Sequence, residues 1–167
     1  MKKAVNFTLY FLIAATIIMR IPTFLHNTER EKTKIPLISL IKNKDDQVNF
    51  YFPNQSQKYV LLFWSVNCLP CIVELDRLNR AVKNNELKPD QIIPINLDGD
   101  YELYKKFLLK KRYGLNLYFD KSNELSQFLK IQVTPTIVFL DSTKTIVKMN
   151  SGIQWNLVSG IDQFLRH

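Results

Sequence analysis

The stretch from Tyr59 to Cys71 constrains this chain more tightly than any other. Tyr59-Val-Leu-Leu-Phe-Trp64 is an unbroken apolar run, short and rich in aromatic and β-branched residues, as a strand buried on both faces should be. Only Ser65, Val66 and Asn67 separate it from Cys68. Positions 68, 71, 75, 78 and 82 (Cys, Cys, Leu, Leu, Val) then recur at helical spacing, with Arg77, Arg80 and Lys83 outside the stripe. A buried strand that turns at once into an amphipathic helix predicts an α/β sheet with helices laid against it. Cys68 falls at the helix N-terminus, where unpaired N–H groups and the helix dipole favour a thiolate. Cys71 lies one turn on along the same face, within disulfide reach. Pro70 suits the first helical turn, where its missing N–H costs nothing.

The chain has no other cysteine, and its histidines are His26 and His167 alone. That scarcity excludes a disulfide-dense scaffold, a four-cysteine zinc site and multi-histidine or Ser/His/Asp chemistry. Three readings of the cysteine pair remain open. A structural crosslink would close a very short loop and stabilise little through chain entropy. A metal would need ligands from a second chain. Thiol–disulfide exchange is what the position at a helix N-terminus favours.

A length of 167 residues with 46% hydrophobic residues suits one domain with a short extension. The extension is N-terminal. Lys2 and Lys3 precede an uncharged apolar run from Phe7 to Met19, the pattern of a secretory signal. Widened to Ala4–Leu25, it reaches the roughly 20 residues of a membrane span, with Arg20 near one end where it can snorkel. No small-residue cleavage site follows, so residues 1–25 are expected to form an uncleaved, single-pass signal-anchor helix. Residues 26–34 then form a polar tether and residues 35–167 the domain. The lysines at the N-terminus favour a domain outside the cytoplasm, although Arg20, Arg30, Lys32 and Lys34 dilute the asymmetry. The domain is expected on the periplasmic side of a bacterial inner membrane. Charge supports this division. Of the net +8, half belongs to residues 1–34, which hold six basic and two acidic side chains. Lys105, Lys106, Lys110, Lys111 and Arg112 read as the solvated face and basic last turn of a helix. They match no nucleic-acid-binding motif, so no nucleic-acid partner is expected.

Downstream, strands and helices alternate. Residues 36–41 and 47–52 predict a hairpin. Residues 91–97 predict a strand whose Pro94 argues for an edge or irregular position. Asp100 can cap a helix through about Arg112, with Gly114 as its terminating glycine. Glu124–Lys130 predicts a shorter helix, residues 136–140 and 145–149 a second hairpin, and Trp155–Leu165 a last helix. The sum is a central mixed sheet covered by helices on both faces.

Phe63-Trp64, Cys68-Leu-Pro-Cys71 and Val133-Thr134-Pro135-Thr136-Ile-Val-Phe-Leu-Asp141 together resemble a thioredoxin-fold oxidoreductase. The closer likeness is to the membrane-anchored TlpA/ResA-type branch (redoxins, cytochrome c biogenesis). Glu74, three after Cys71, matches that branch's Cys-x-x-Cys-x-x-Glu. Tyr118-Phe-Asp120, Leu125 and Phe128 resemble its insert, and the similarity runs from about Ile35 to Leu165. The resemblance implies a thioredoxin-like domain in which Cys68 attacks and Cys71 resolves through a mixed disulfide. It implies that Pro135 is a cis-proline facing the pair and that Thr134 pairs through its backbone with the substrate. Trp64, Leu69 and Pro70 complete the expected substrate-binding set, and Glu74 is expected to tune cysteine protonation. No cofactor beyond the redox-active pair and no metal is implied. The expected partners are protein thiols or disulfides, apocytochrome c cysteines among them, and a membrane redox partner that recharges the pair.

This chain departs from the pattern in three places. Asn67 stands where the family has tryptophan before the first cysteine, and Leu69 replaces the glycine of ordinary thioredoxins. Leu62 occupies the place of thioredoxin's buried aspartate, so proton acceptance cannot sit there. Ser65-Val-Asn-Cys68 formally fits a peroxiredoxin Ser/Thr-x-x-Cys, but Leu61 stands where that motif expects proline. A tethered, non-catalytic binding module is the other alternative.

Overall fold

The computed structural model describes residues 56–167 continuously, together with Tyr10, Ala14, Ala15, residues 31–36, 38–42 and 46–50, and Phe52. Apart from Tyr10, Ala14 and Ala15, the expected anchor over residues 1–25 lies outside the described residues, as does most of the tether. Among the described residues, no helix is long and apolar enough to cross a membrane.

The apolar run beginning at Tyr59 forms the third strand of a seven-stranded mixed sheet. The strands are β1 (Ile38–Lys42), β2 (Asp46–Phe50), β3 (Tyr59–Trp64), β4 (Ile92–Asn96), β5 (Tyr118–Phe119), β6 (Thr136–Leu140) and β7 (Ile146–Ser151). Their order across the sheet is β2-β1-β5-β4-β3-β6-β7. The β3–β4 and β4–β5 pairs are parallel, and the remaining pairs are antiparallel. The helices are α1 (Leu69–Lys83), α2 (Tyr101–Lys110), α3 (Glu124–Phe128) and α4 (Leu157–Arg166).

Side-chain alternation along β3 divides the core in two. Val60, Leu62 and Trp64 join Cys71, Leu75 and Leu78 of α1, Tyr104 of α2 and Ile161 of α4. Tyr59, Leu61 and Phe63 pack on the opposite face with Ile93, Ile95, Val138 and, from the α3 region, Leu125 and Leu129. Both faces of the sheet are therefore covered, as the alternation of elements predicted.

Several boundaries and one placement differ from expectation. The first hairpin is shifted, with β1 starting at Ile38 and β2 ending at Phe50. Pro94 sits buried in a central strand rather than at an edge. Strand β5 registers with β4 only from Ile95 onward, so no β5 residue stands opposite Pro94 to need its missing N–H, and no ladder bond is broken there. Helix α2 stops at Lys110, earlier than Arg112. Asp100 caps its start by accepting from the Leu103 N–H at 3.0 Å. Gly114 does not end that helix; its N–H donates to Asn79 Oδ1 at 2.7 Å, tying the loop after α2 to α1. Helix α4 begins at Leu157, so Trp155 belongs to the preceding loop.

Candidate active site

Cys68 and Cys71 are joined by a disulfide at the N-terminus of α1, with their Cα atoms 5.2 Å apart. Cys68 is the N-cap: its backbone is extended, and its Sγ accepts from the Cys71 N–H at 3.2 Å. An N–H aimed at sulfur, together with the helix dipole, stabilises negative charge on that sulfur once the disulfide opens. Cys68 is partly exposed, whereas Cys71 is fully buried. Only the first can meet a large partner.

Two loops frame the pair. The Thr134–Pro135 peptide is cis, and the Thr134 carbonyl oxygen lies 3.6 Å from Cys68 Sγ. On the other side, the Asp98 carboxylate organises residues 65–67. It accepts from the Ser65 hydroxyl, from the Val66 N–H at 2.8 Å and from Asn96 Nδ2 at 2.6 Å. The Cys68 N–H bonds the Ser65 carbonyl at 3.2 Å, so this tight turn aims the cysteine. Ser65 is thus engaged by Asp98, which weakens the peroxiredoxin reading of Ser65-Val-Asn-Cys68. Asp98 went unnoticed in the sequence. Its signal was an acid just past the C-terminal end of β4, the sheet edge from which β3 delivers Cys68.

Glu74 is wholly buried. It is the sixth residue of α1 and lies in the second turn, not the first, so the dipole does not explain it. Being three residues after Cys71, it stacks over that cysteine on one helix face. Its Oε1 accepts from the Gln154 N–H at 2.7 Å; its Oε2 has no hydrogen-bond partner among the described residues, with Arg77 Nη1 at 3.6 Å. Burial pushes its carboxyl above the ordinary value of 4.5, against the opposing pulls of the Gln154 N–H and the Arg77 charge.

That direction gives a pH prediction. Between 4.5 and the raised folded value, the native protein keeps a proton that the unfolded chain has lost. Stability must therefore fall as pH rises through this window. Denaturant titrations of the oxidised protein across it should show the wild type losing stability relative to Glu74→Gln. Parallel pH curves for the two would contradict the assignment.

The expected substrate-binding residues separate. Leu69 is 79% exposed, Pro70 is exposed and Thr134 is partly exposed. Pro135 is buried beneath the pair's edge. Trp64 is a correction: it is completely buried against Phe107 and Tyr104, with ring centroids 5.0 and 6.2 Å away. The resemblance implied a substrate-binding role, but the side chain points into the core beneath α1 and α2 and offers no accessible surface to a partner. Asp120, in the insert, is also buried, and it accepts from the Ser126 N–H at the start of α3.

A capping cysteine, its partner one turn on and a cis-proline across from them, all at one edge of this sheet, define a class: thiol–disulfide oxidoreductases of the thioredoxin fold. Comparison supplies the family. The thioredoxin-like sequence profile matches residues 54–146, more than half of the chain, and the protein belongs to that family. It is 23% identical to the sporulation thiol-disulfide oxidoreductase A of Bacillus subtilis over 127 residues, which is 74% of this chain and 76% of that one. The crystal structure of StoA from Bacillus subtilis matches with a TM-score of 0.61 at 19% identity, covering 77% of this chain and 98% of StoA. The exposed lipoprotein thioredoxin of Streptococcus pneumoniae matches at 0.66 and 19% identity, over 78% of this chain and 98% of that one. At such identities the solved structures share the fold.

Proposed function

We propose that the protein is a membrane-anchored oxidoreductase that reduces disulfides of extracytoplasmic proteins, apocytochrome c among the candidate substrates. The carrying observation is the setting of Cys68, partly exposed beside the Thr134 carbonyl, with exposed apolar side chains on the elements that frame it. Leu69 and Val73 stand on α1, Val133 precedes the cis-proline loop, and Ile153 and Trp155 follow β7; all five are exposed. Gly152 bonds the Pro135 carbonyl at 2.8 Å, which brings the last two to the same edge. Apolar side chains exposed on those elements suit a polypeptide better than a small polar thiol.

In the reaction, the Cys68 thiolate attacks a substrate disulfide and one substrate sulfur leaves as thiolate. Cys71, its proton accepted by Glu74, then attacks Cys68 Sγ. The substrate leaves as a dithiol and the Cys68–Cys71 disulfide forms. Each cycle oxidises the enzyme, so a membrane redox partner must return two electrons.

The anchor accords with where the N-terminal segment joins the domain. Lys34 bridges to Thr145, and the Ile35 N–H bonds the Lys144 carbonyl at 3.0 Å, at the tip of the β6–β7 hairpin. That tip is level with Tyr59, the opposite end of β3 from Cys68. A chain anchored through residues 1–25 would hold its cysteines facing away from the bilayer, about 20 Å beyond the point of attachment at roughly 3.3 Å per strand residue. Redox titration of the full-length protein tests the direction of electron flow. A potential near about −300 mV or below is expected, whereas one near about −120 mV would make the protein an oxidant.

A further inference from the structure

Arg77 is half-buried and makes an unusual choice of partners. Its guanidinium donates from Nη1 to the Gln154 carbonyl at 2.7 Å and from Nη2 to the Trp155 carbonyl at 2.8 Å. A carboxylate stands one helical turn away, yet Arg77 does not take it in the bidentate grip this pair usually adopts. Nη1 stays 3.6 Å from Glu74 Oε2, which is left without a hydrogen bond among the described residues. The fork is spent on two successive backbone carbonyls of the β7–α4 loop instead. That loop is the roof over Glu74. At one end Gly152 bonds the cis-proline loop; in the middle the Gln154 N–H reaches Glu74 Oε1; the Gln154 side chain folds back on the Gly152 carbonyl at 3.1 Å. Without Arg77, the hydrogen bonds between this loop and α1 reduce to the one ending on Glu74 itself.

We propose that Arg77 is a positioning residue that clasps the β7–α4 loop onto α1 and thereby keeps water from the Glu74 carboxyl beside Cys71. The proposal rests on reading Glu74 as the proton acceptor of Cys71. It also explains why arginine stands here, since a lysine ammonium cannot present two coplanar donors to adjacent carbonyls. The electrostatic surroundings are simple. From α1, Arg77 and, after reduction, the Cys71 thiol face Glu74. Residues 133–135 and 152–156 carry no ionisable side chain. On the outer side, Arg77 shares an open groove with Glu86 and with Asp162 and Arg166 of α4, the last two paired at 2.7 Å. Lys148 of β7 lines the neighbouring groove beside Gln154.

The clasp and a plain charge effect predict opposite signs. Arg77→Met removes both the cation and the fork; Arg77→Lys keeps the cation and loses the fork. In the reduced full-length protein, the Glu74 carboxyl is titrated by carbon-13 NMR, and amide exchange is followed at Gln154, whose N–H bonds Glu74. If Arg77 is a clasp, water reaches Glu74 in both variants and its titration moves down towards 4.5 in both. Exchange at the Gln154 amide, whose bond to Glu74 Oε1 the clasp holds in place, should quicken on the order of tenfold. An upward shift in Arg77→Met with an unchanged Arg77→Lys would overturn the clasp and leave only an ion pair. Unchanged amide exchange in both variants would overturn it as well. Glu74→Gln separates the underlying reading: if the pH profile of disulfide exchange ignores that substitution, Glu74 is no proton acceptor, while the titration and amide exchange still decide the clasp.

Discussion

Cys71→Ser is expected to accumulate a disulfide-linked adduct between Cys68 and protein substrates, and Cys68→Ser to accumulate none. Both should lose turnover by on the order of a thousandfold or more, because nucleophile and resolving thiol act as a unit. The asymmetry follows from burial. Cys68 is the partly exposed N-cap whose sulfur accepts an N–H, so it forms the mixed disulfide. Cys71 is buried on the inner face of α1 and reaches only Cys68. Without Cys71 the mixed disulfide has no internal exit and persists until an external thiol arrives. Non-reducing gels followed by mass spectrometry of the linked peptides provide the check. Trapping by Cys68→Ser alone would reverse the order of attack. An absence of adducts in both variants would favour a tethered binding module that keeps the fold without turnover.

Partner choice in that adduct should differ from relatives with tryptophan before the first cysteine. Here Asn67 is exposed, its N–H held 3.3 Å from Ser65 Oγ within the turn that Asp98 organises. The large exposed indole of this edge is instead Trp155, 93% exposed in the loop that Arg77 holds.

What the sequence made legible was whatever local spacing encodes. The apolar run Tyr59–Trp64, the stripe at 71, 75 and 78, and the two hairpins each announce themselves within a few residues. The cysteine pair was readable for the same reason, whereas Pro135 was legible only through the family resemblance. Pro94 misled because a proline reports a missing donor, not which neighbouring strand is too short to need it. Gly114 misled because its use is a bond to Asn79, which lies 35 positions away. The parts that went unread are all of that kind. Asp98 holds Val66 across 32 positions, and Arg77 reaches Gln154 across 77. Such bonds join elements brought together only by the sheet order, so no periodicity records them. Glu74 was recognised by motif and its role argued from burial, but its roof, the loop that Arg77 holds, went unread.

Trp64→Ala should be among the most destabilising single substitutions in the domain, costing about 3–5 kcal/mol, while Trp64→Phe should cost far less. Trp64 is fully buried at the end of β3, where α1 and α2 meet over the sheet. Removing its indole opens a cavity between Tyr104 and Phe107 that flanking helices cannot close without leaving the strand. Phenylalanine keeps most of the aromatic packing, and it also removes Nε1, which has no hydrogen-bond partner among the described residues, so a buried polar cost disappears with the lost volume. Since a domain of this size holds only about 5–15 kcal/mol of net stability, the alanine variant should unfold at much lower denaturant. The phenylalanine variant should stay close to wild type in both denaturation midpoint and disulfide-exchange rate. That pairing separates support from recognition: a side chain that bound substrate would lower the exchange rate in Trp64→Phe with stability intact. A buried prop beneath the cysteine-bearing helix costs stability in Trp64→Ala and leaves the chemistry of the folded fraction unchanged.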